Sequence, residues 1–351
     1  MEKKIFCLIA TIALCMTTIA CTPKPKEIVL NYWSIDQHGD SILLSGLVSI
    51  PDSSRTIQGV ILIPHFTIGA NREAPSQKII VEAKRFKNDF ICIMPDYIGY
   101  GVSADRFPPY LHGELTAQNC VDMVLETQKI LAARNITPTS DSIYIVGFSQ
   151  GAATAVWTLK TIEQQYTDQI KVKACYAAGG PYDVAAIYDA AVQKDRVGAA
   201  MTIPLLVMGT SEAYDLNLDR NYFFTYQMNR RFDELIASKR YGYASLYFLL
   251  MSHRVSRWLT PAGADKTLHE TAKLYQGLQK SSIVNYDWKP RTTCYIMHST
   301  TDGIVPFVAA EKLRHHWGNL TNVTYDFNDY GDHLICRLKF EKKVASQIVK
   351  K

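Results

Sequence analysis

Gly147-Phe148-Ser149-Gln150-Gly151 sets a serine between two glycines, directly after the apolar run 142–146 and directly before a helix-like stretch, 152–165. A serine on a tight strand-to-helix turn projects its oxygen above a sheet, and the flanking positions must be small because strand and helix crowd them. The helix that starts there aims free N–H groups at the carbon under attack, so the Gln150 N–H is a donor for developing negative charge. A serine hydroxyl is a weak nucleophile at neutral pH, so the chemistry also calls for a histidine base and a carboxylate that orients it. Downstream stand Asp302, in His298-Ser299-Thr300-Thr301-Asp302-Gly303, and His333, in Tyr330-Gly331-Asp332-His333-Leu334. Taken singly, Asp302 also fits a turn before Gly303 and His333 a surface loop. Together, each after a strand-like run and in the order Ser, Asp, His, they make a triad. Asp183 competes for the acid's role because it too follows a strand after the serine, whereas Asp332 reads as the cap of the next helix. A second donor for negative charge is expected from the loop after the run 60–63, with Phe66 and Thr67 as candidates and His65 as a brace for that loop.

The elements that must carry these residues are short apolar runs alternating with amphipathic stretches, the mark of parallel strands joined by helices. Segments 59–64, 90–95, 142–147, 173–179 and 293–298 are continuous enough in apolar residues to be strands buried on both faces, and 323–327 reads as an alternating strand. Residues 114–134 carry Ala117, Val121, Val124, Leu125 and Leu131 on one face, the pattern of a crossover helix. Residues 28–35 and 42–50 alternate apolar and polar side chains across a turn and form an expected antiparallel hairpin at a sheet edge. The alternation breaks between Tyr182 and Tyr286, and within that stretch residues 221–260 hold ten aromatics, a quarter of the window against 11% for the chain. A mainly helical cap accounts for them, its rings either gluing it to the body or lining a pocket. Residues 202–209 fit a strand or a buried helix.

With 351 residues, 47% of them hydrophobic and 20% charged, the chain can bury a full core, which excludes a disordered tail or a small disulfide scaffold. Its 38 Lys and Arg are spread among 33 Asp and Glu without a long basic run, so nucleic acid is excluded as a partner. The one departure from this average is at the start. Lys3 and Lys4 precede an apolar stretch, 5–20, that is short for a membrane span, ending in Thr18-Ile19-Ala20-Cys21. The pattern resembles a bacterial lipoprotein signal: residues 1–20 are removed, Cys21 carries lipid, and 21–26 form a tether from a cell-envelope membrane. Ordinary cleavage after Ala20 and an uncleaved helix are the alternatives. Of the eight cysteines, Cys7 and Cys15 leave with the signal, and Cys92, Cys175 and Cys294 read as small buried thiols within strands. Cys120 and Cys336 bring the remainder to five, and no CxxC or HxxxH pair argues for a metal.

The elbow at Ser149 stands in a wider set: the hairpin 30–51, residues 64–76, Pro95-Asp96-Tyr97-Ile98-Gly99-Tyr100-Gly101, Pro109-Tyr110-Leu111, Gly179-Gly180-Pro181-Tyr182-Asp183, Asp302 and His333. Over most of the chain it resembles the α/β-hydrolases of the secretory-lipase type. That resemblance implies an α/β-hydrolase fold with a mostly parallel central sheet flanked by helices, a core from 27–181 and 287–351, and a cap from 182–286. It implies Ser149, Asp302 and His333 as the triad and hydrolysis of small-molecule carboxylic esters with no cofactor. Phe66 stands where such enzymes carry Gly after the loop histidine, and Ser299 replaces the Gly after His298, which leaves the oxyanion loop and the width of the acyl pocket open. A peptidase or acyltransferase with the same triad, or a binding lipoprotein that has lost turnover, remain as other readings.

Overall fold

Largely apolar strands form the middle of a single sheet in the computed structural model, which describes residues 25–349. The lipidation site expected at Cys21 and the signal before it lie outside the described residues. The front hairpin pairs β1 (Lys26–Ile35) antiparallel with β2 (Ser41–Ile50), from Lys26 opposite Ile50 to Ile35 opposite Ser41, so β1 takes in the last residue assigned to the tether. The remaining strands are β3 (Gly59–Leu62), β4 (Phe90–Pro95), β5 (Ser142–Phe148), β6 (Lys171–Ala178), β7 (Thr293–Ser299) and β8 (Val323–Asn328). They run in the order β1-β2-β4-β3-β5-β6-β7-β8, parallel from β4 onward. Because β3 lies between β4 and β5, successive connections leave it in opposite directions and open a crevice at the carboxyl ends, where open α/β sheets bind ligands.

Helices α1 (Gly113–Ala133) and α2 (Gln150–Gln165) follow β4 and β5. Between β6 and β7 the chain runs through α3 (Val184–Gln193), α4 (Thr202–Ala213), α5 (Arg220–Phe223), α6 (Tyr226–Phe232), α7 (Tyr243–Leu249), α8 (Pro261–Ala264) and α9 (His269–Lys280). Then α10 (Val308–Trp317) joins β7 to β8, and α11 (His333–Ile348) follows β8. Neighbouring strand residues point to opposite faces. Leu62, Ile93 and Ile145 pack with Trp157 and Trp317 on one side, and Ile61, Met94 and Phe148 pack with Phe340 of α11 on the other.

The mainly helical cap buries its own cluster, which includes Tyr188, Leu206, Phe223, Phe224, Phe232, Trp258 and Leu274. The ambiguous stretch at 202–209 is helical. Pro204 falls in the first turn of α4, where a missing N–H costs no intrahelical bond, whereas it would interrupt a central strand. Of the two roles expected of the aromatic run, Tyr243, Tyr247 and Phe248 take that of lining a cavity over the sheet, while Phe223, Phe224, Phe232 and Trp258 pack into the cap's own cluster rather than gluing it to the body.

Helix α2 starts so close to the ends of β3 and β5 that two positions beside Ser149 have no room for a side chain. A Cβ at Gly147 would overlap the Gly151 carbonyl, and one at Gly151 would overlap the Pro64 carbonyl. Gly151→Ala is therefore expected to cost about 1–3 kcal/mol of stability, measured as a lower midpoint in urea; an unchanged midpoint would show that the backbone yields there at no cost.

Candidate active site

Ser149 joins β5 to α2 at φ 57° and ψ −124°, a conformation disfavoured for any residue with a side chain and worth about 1–3 kcal/mol of stored strain. Its N–H donates to the Ala178 carbonyl of β6 at 2.8 Å, and its carbonyl accepts from Ala152 at 2.9 Å. Those contacts hold the turn while the side chain lines the cavity. Gln150 is the first residue of α2, so its N–H is among those that the helix leaves without an internal acceptor.

His333 opens α11, with Asp332 before it as N-cap accepting from Ile335 N–H at 2.9 Å. Ser299 braces the approach to this turn, donating to the Gly331 carbonyl at 2.6 Å and accepting from Tyr330 N–H at 3.1 Å. Ser299 is thus a strut beneath the histidine. His333 Nδ1 lies 2.6 Å from Asp302 Oδ2. A carboxylate only accepts, so Nδ1 carries the hydrogen and the neutral ring keeps its lone pair on Nε2.

Asp302 is buried, and its Oδ1 accepts from the N–H groups of Ile304 and Val305, both at 2.9 Å. Burial alone raises its pKa, but the His333 hydrogen bond, the adjacent His333 and His298 rings and the Val305 N–H outweigh it, and the carboxyl ends below its ordinary value. His298 sits 3.7 Å from Oδ2 and donates from Nε2 to the Val305 carbonyl at 3.0 Å; burial holds its pKa down and the ring neutral. The competing acid is committed elsewhere. Asp183 caps α3 through Ala186 N–H at 2.9 Å and pairs with Lys312 Nζ at 2.9 Å.

The loop after β3 is pinned group by group. Tyr97 donates to the His65 carbonyl and Tyr100 to the Ile68 carbonyl, both at 2.9 Å. Glu73 accepts from Gly69 and Ala70 at 2.9 and 3.2 Å. His65 stacks on Tyr97 with ring centroids 3.9 Å apart and meets the Phe66 carbonyl at 2.6 Å through Nδ1; burial lowers its pKa to about 4. The Phe66 N–H faces Glu82 Oε1 at 3.5 Å, so this candidate donor turns away from the cavity, to which Phe66 contributes its ring. Burial lifts Glu82 to about 7. The Thr67 N–H enters none of these bonds, and its hydroxyl meets Tyr110 at 2.7 Å.

Thr67, Ser149, Gln150 and His333 share one cavity of about 750 Å³, to which Leu206, Tyr243 and Phe248 of the cap also contribute. The lining is mostly apolar, as suits a site that binds hydrocarbon and excludes water from a reacting carbonyl. The sequence motifs contain Tyr97, Tyr100 and Tyr110 but do not give them their roles at this loop, and Glu73 and Glu82 carry no signal in the sequence. Three tyrosines within fifteen residues of a strand end were a usable signal.

The chain is an α/β-hydrolase by fold. Residues 76–341 match the family model of the secretory lipases, and the chain belongs to that family of ester hydrolases. Among solved structures, LipA, a rice cell wall degrading esterase from Xanthomonas oryzae, has a TM-score of 0.76 at 19% identity over 93% of this chain and 90% of that one. Candida antarctica lipase A in its closed state has a TM-score of 0.62 at 13% identity over 93% of this chain and 79% of that one. At such identities the likeness is one of fold. No curated protein matches the chain, and no helix among the described residues is long and apolar enough to cross a membrane.

The Asp302–His333 bond ties stability to pH. A carboxyl whose pKa is lower folded than unfolded, where it is about 3.9, stabilises fully above that value and loses its contribution as pH falls through the folded value. Asp302→Asn should cost about 1–3 kcal/mol at neutral pH and less at pH 3, in urea titrations at the two pH values. Equal losses at both would show that the charge contributes nothing.

Proposed function

We propose that the protein is a serine hydrolase that cleaves carboxylic esters through an acyl-enzyme on Ser149. His333 Nε2 takes the serine proton as Oγ attacks the ester carbon, then returns it to the leaving alkoxide; a water deprotonated by the same nitrogen releases the acid. Asp302 holds the imidazole in the tautomer that makes this possible and stabilises the imidazolium. The N–H groups of Gln150 and Thr67 receive the oxyanion, and Phe66 contributes apolar surface beside the acyl group. The reading is carried by one observation: a serine on a strained elbow shares a cavity with a histidine whose other nitrogen is bound to a buried carboxylate at 2.6 Å. We propose further that the chain is exported and held at a cell-envelope membrane by lipid on Cys21, with the cap of residues 182–286 set into a body of 27–181 and 287–351.

A fluorophosphonate probe tests the nucleophile: the folded protein should be labelled and Ser149→Ala should not, whereas an unlabelled folded protein would refute the mechanism. Using p-nitrophenyl esters, Asp302→Asn should lower kcat by about 10³–10⁴-fold. Asp183→Asn should keep kcat within about threefold and lower the melting temperature slightly instead, because it keeps the cap of α3 but removes the charge that pairs with Lys312. The reverse ranking would move the acid's role to Asp183.

A further inference from the structure

The Thr67–Tyr110 contact has two hydroxyls and one hydrogen bond, so one O–H is left over. The oxygens are 2.7 Å apart, both residues are buried, and both line the cavity that holds Ser149 and Gln150. Neither hydroxyl has another partner among the described hydrogen bonds. A phenol is a far stronger acid than an aliphatic alcohol, so Tyr110 donates and Thr67 Oγ1 accepts. The Thr67 hydrogen is then free to turn toward the cavity. Burial raises the Tyr110 pKa to about 12, which keeps the phenol protonated as a donor at any working pH.

Tyr110 does not choose its own position. Helix α4 of the cap crosses it at Gly209, where a Cβ would overlap Tyr110 Cβ and come 2.8 Å from its backbone N. Cap helix, tyrosine and threonine therefore form a continuous set of contacts that ends at the site of chemistry. The loop beyond Thr67 is separately fixed by Tyr100 and Glu73, so the Tyr110 contact adds little to loop position and chiefly orients one hydroxyl.

We propose that the Thr67 hydroxyl is a third oxyanion donor alongside the Gln150 and Thr67 N–H groups, with Tyr110 as its positioning residue and Gly209 as the cap contact that sets Tyr110. The proposal rests on the serine mechanism above. As Ser149 Oγ bonds to the carbonyl carbon, the C=O electron pair moves to oxygen, and the Thr67 O–H donates to that oxygen without losing its proton; the bond is released when the carbonyl re-forms.

Thr67→Val keeps shape and both backbone groups and removes only the hydroxyl. It should lower kcat on p-nitrophenyl butyrate by about 10–10²-fold with KM within about twofold, a loss confined to the transition state. Thr67→Ser should restore kcat to within about threefold. Tyr110→Phe should lose less than Thr67→Val, and Gly209→Ala should lower kcat to a similar degree as Tyr110→Phe from a position in the cap. Affinity for a trifluoromethyl ketone, whose adduct carries the oxyanion, should fall in step with kcat across the series, which a role in folding alone would not produce. Wild-type kcat in Thr67→Val overturns the proposal, as does a Tyr110→Phe loss exceeding that of Thr67→Val, which would make the phenol the donor. If Thr67→Val does not fold, the ranking of Thr67→Ser, Tyr110→Phe and Gly209→Ala against ketone affinity decides. Fluorophosphonate labelling of every variant keeps the two readings apart: labelled protein with unchanged kcat refutes the third donor alone, and unlabelled wild type refutes the serine mechanism.

Discussion

The close approach of α2 to the end of β3 is the constraint around which the rest of the molecule is arranged. To bring the first turn of the helix against the Pro64 carbonyl, the chain gives up side chains at Gly147 and Gly151 and forces Ser149 to a positive φ. Such strain persists only where the surroundings over-determine it. Here the surroundings are the parallel sheet, buried on both faces, and the Ser149 N–H bonded across to β6. The same approach brings the loop from 64 to 69 alongside the helix N-terminus, so one packing event gathers the serine, the free N–H groups of α2 and the loop that faces them.

Burial sets the electrostatics around the site. His65 and His298 are buried and shifted toward their neutral forms, so they act as hydrogen-bonding shapes rather than charges, and burial lifts the Glu82 carboxyl to about 7. Asp302 is the exception: buried as deeply, it is held toward the charged form because donors and imidazoles surround it. That carboxylate is bonded directly to the one ring that faces the cavity, His333.

The body of the fold was legible because its central strands are largely apolar and its crossover helix is periodic; residues 90–95 form a strand with the expected bounds. The elbow was legible because its glycines answer a local steric demand. What could not be read was whatever depends on distant partners. Asp302 and Asp183 both follow strands after the serine, and only the folded contacts of Asp183 with Lys312 and of Asp302 with His333 separate them. Phe66 and Thr67 are adjacent, and it is the Phe66 N–H that faces Glu82, sixteen residues further along. In the cap, short helices of mixed pattern lie below the length at which periodicity speaks, and Pro204 was the better guide to α4 than its hydrophobic pattern.

The cysteines carry a consequence for where this fold can form. Cys92, Cys120, Cys175, Cys294 and Cys336 are all buried and unbridged, and burial raises the pKa of the thiols at 92, 120 and 336, which suppresses the reactive thiolate. The described body therefore closes without covalent stitching. It needs no oxidase or isomerase to reach its native state, so residues 25–349 can be produced in a reducing cytoplasm and moved to an oxidising medium with no change in covalent structure.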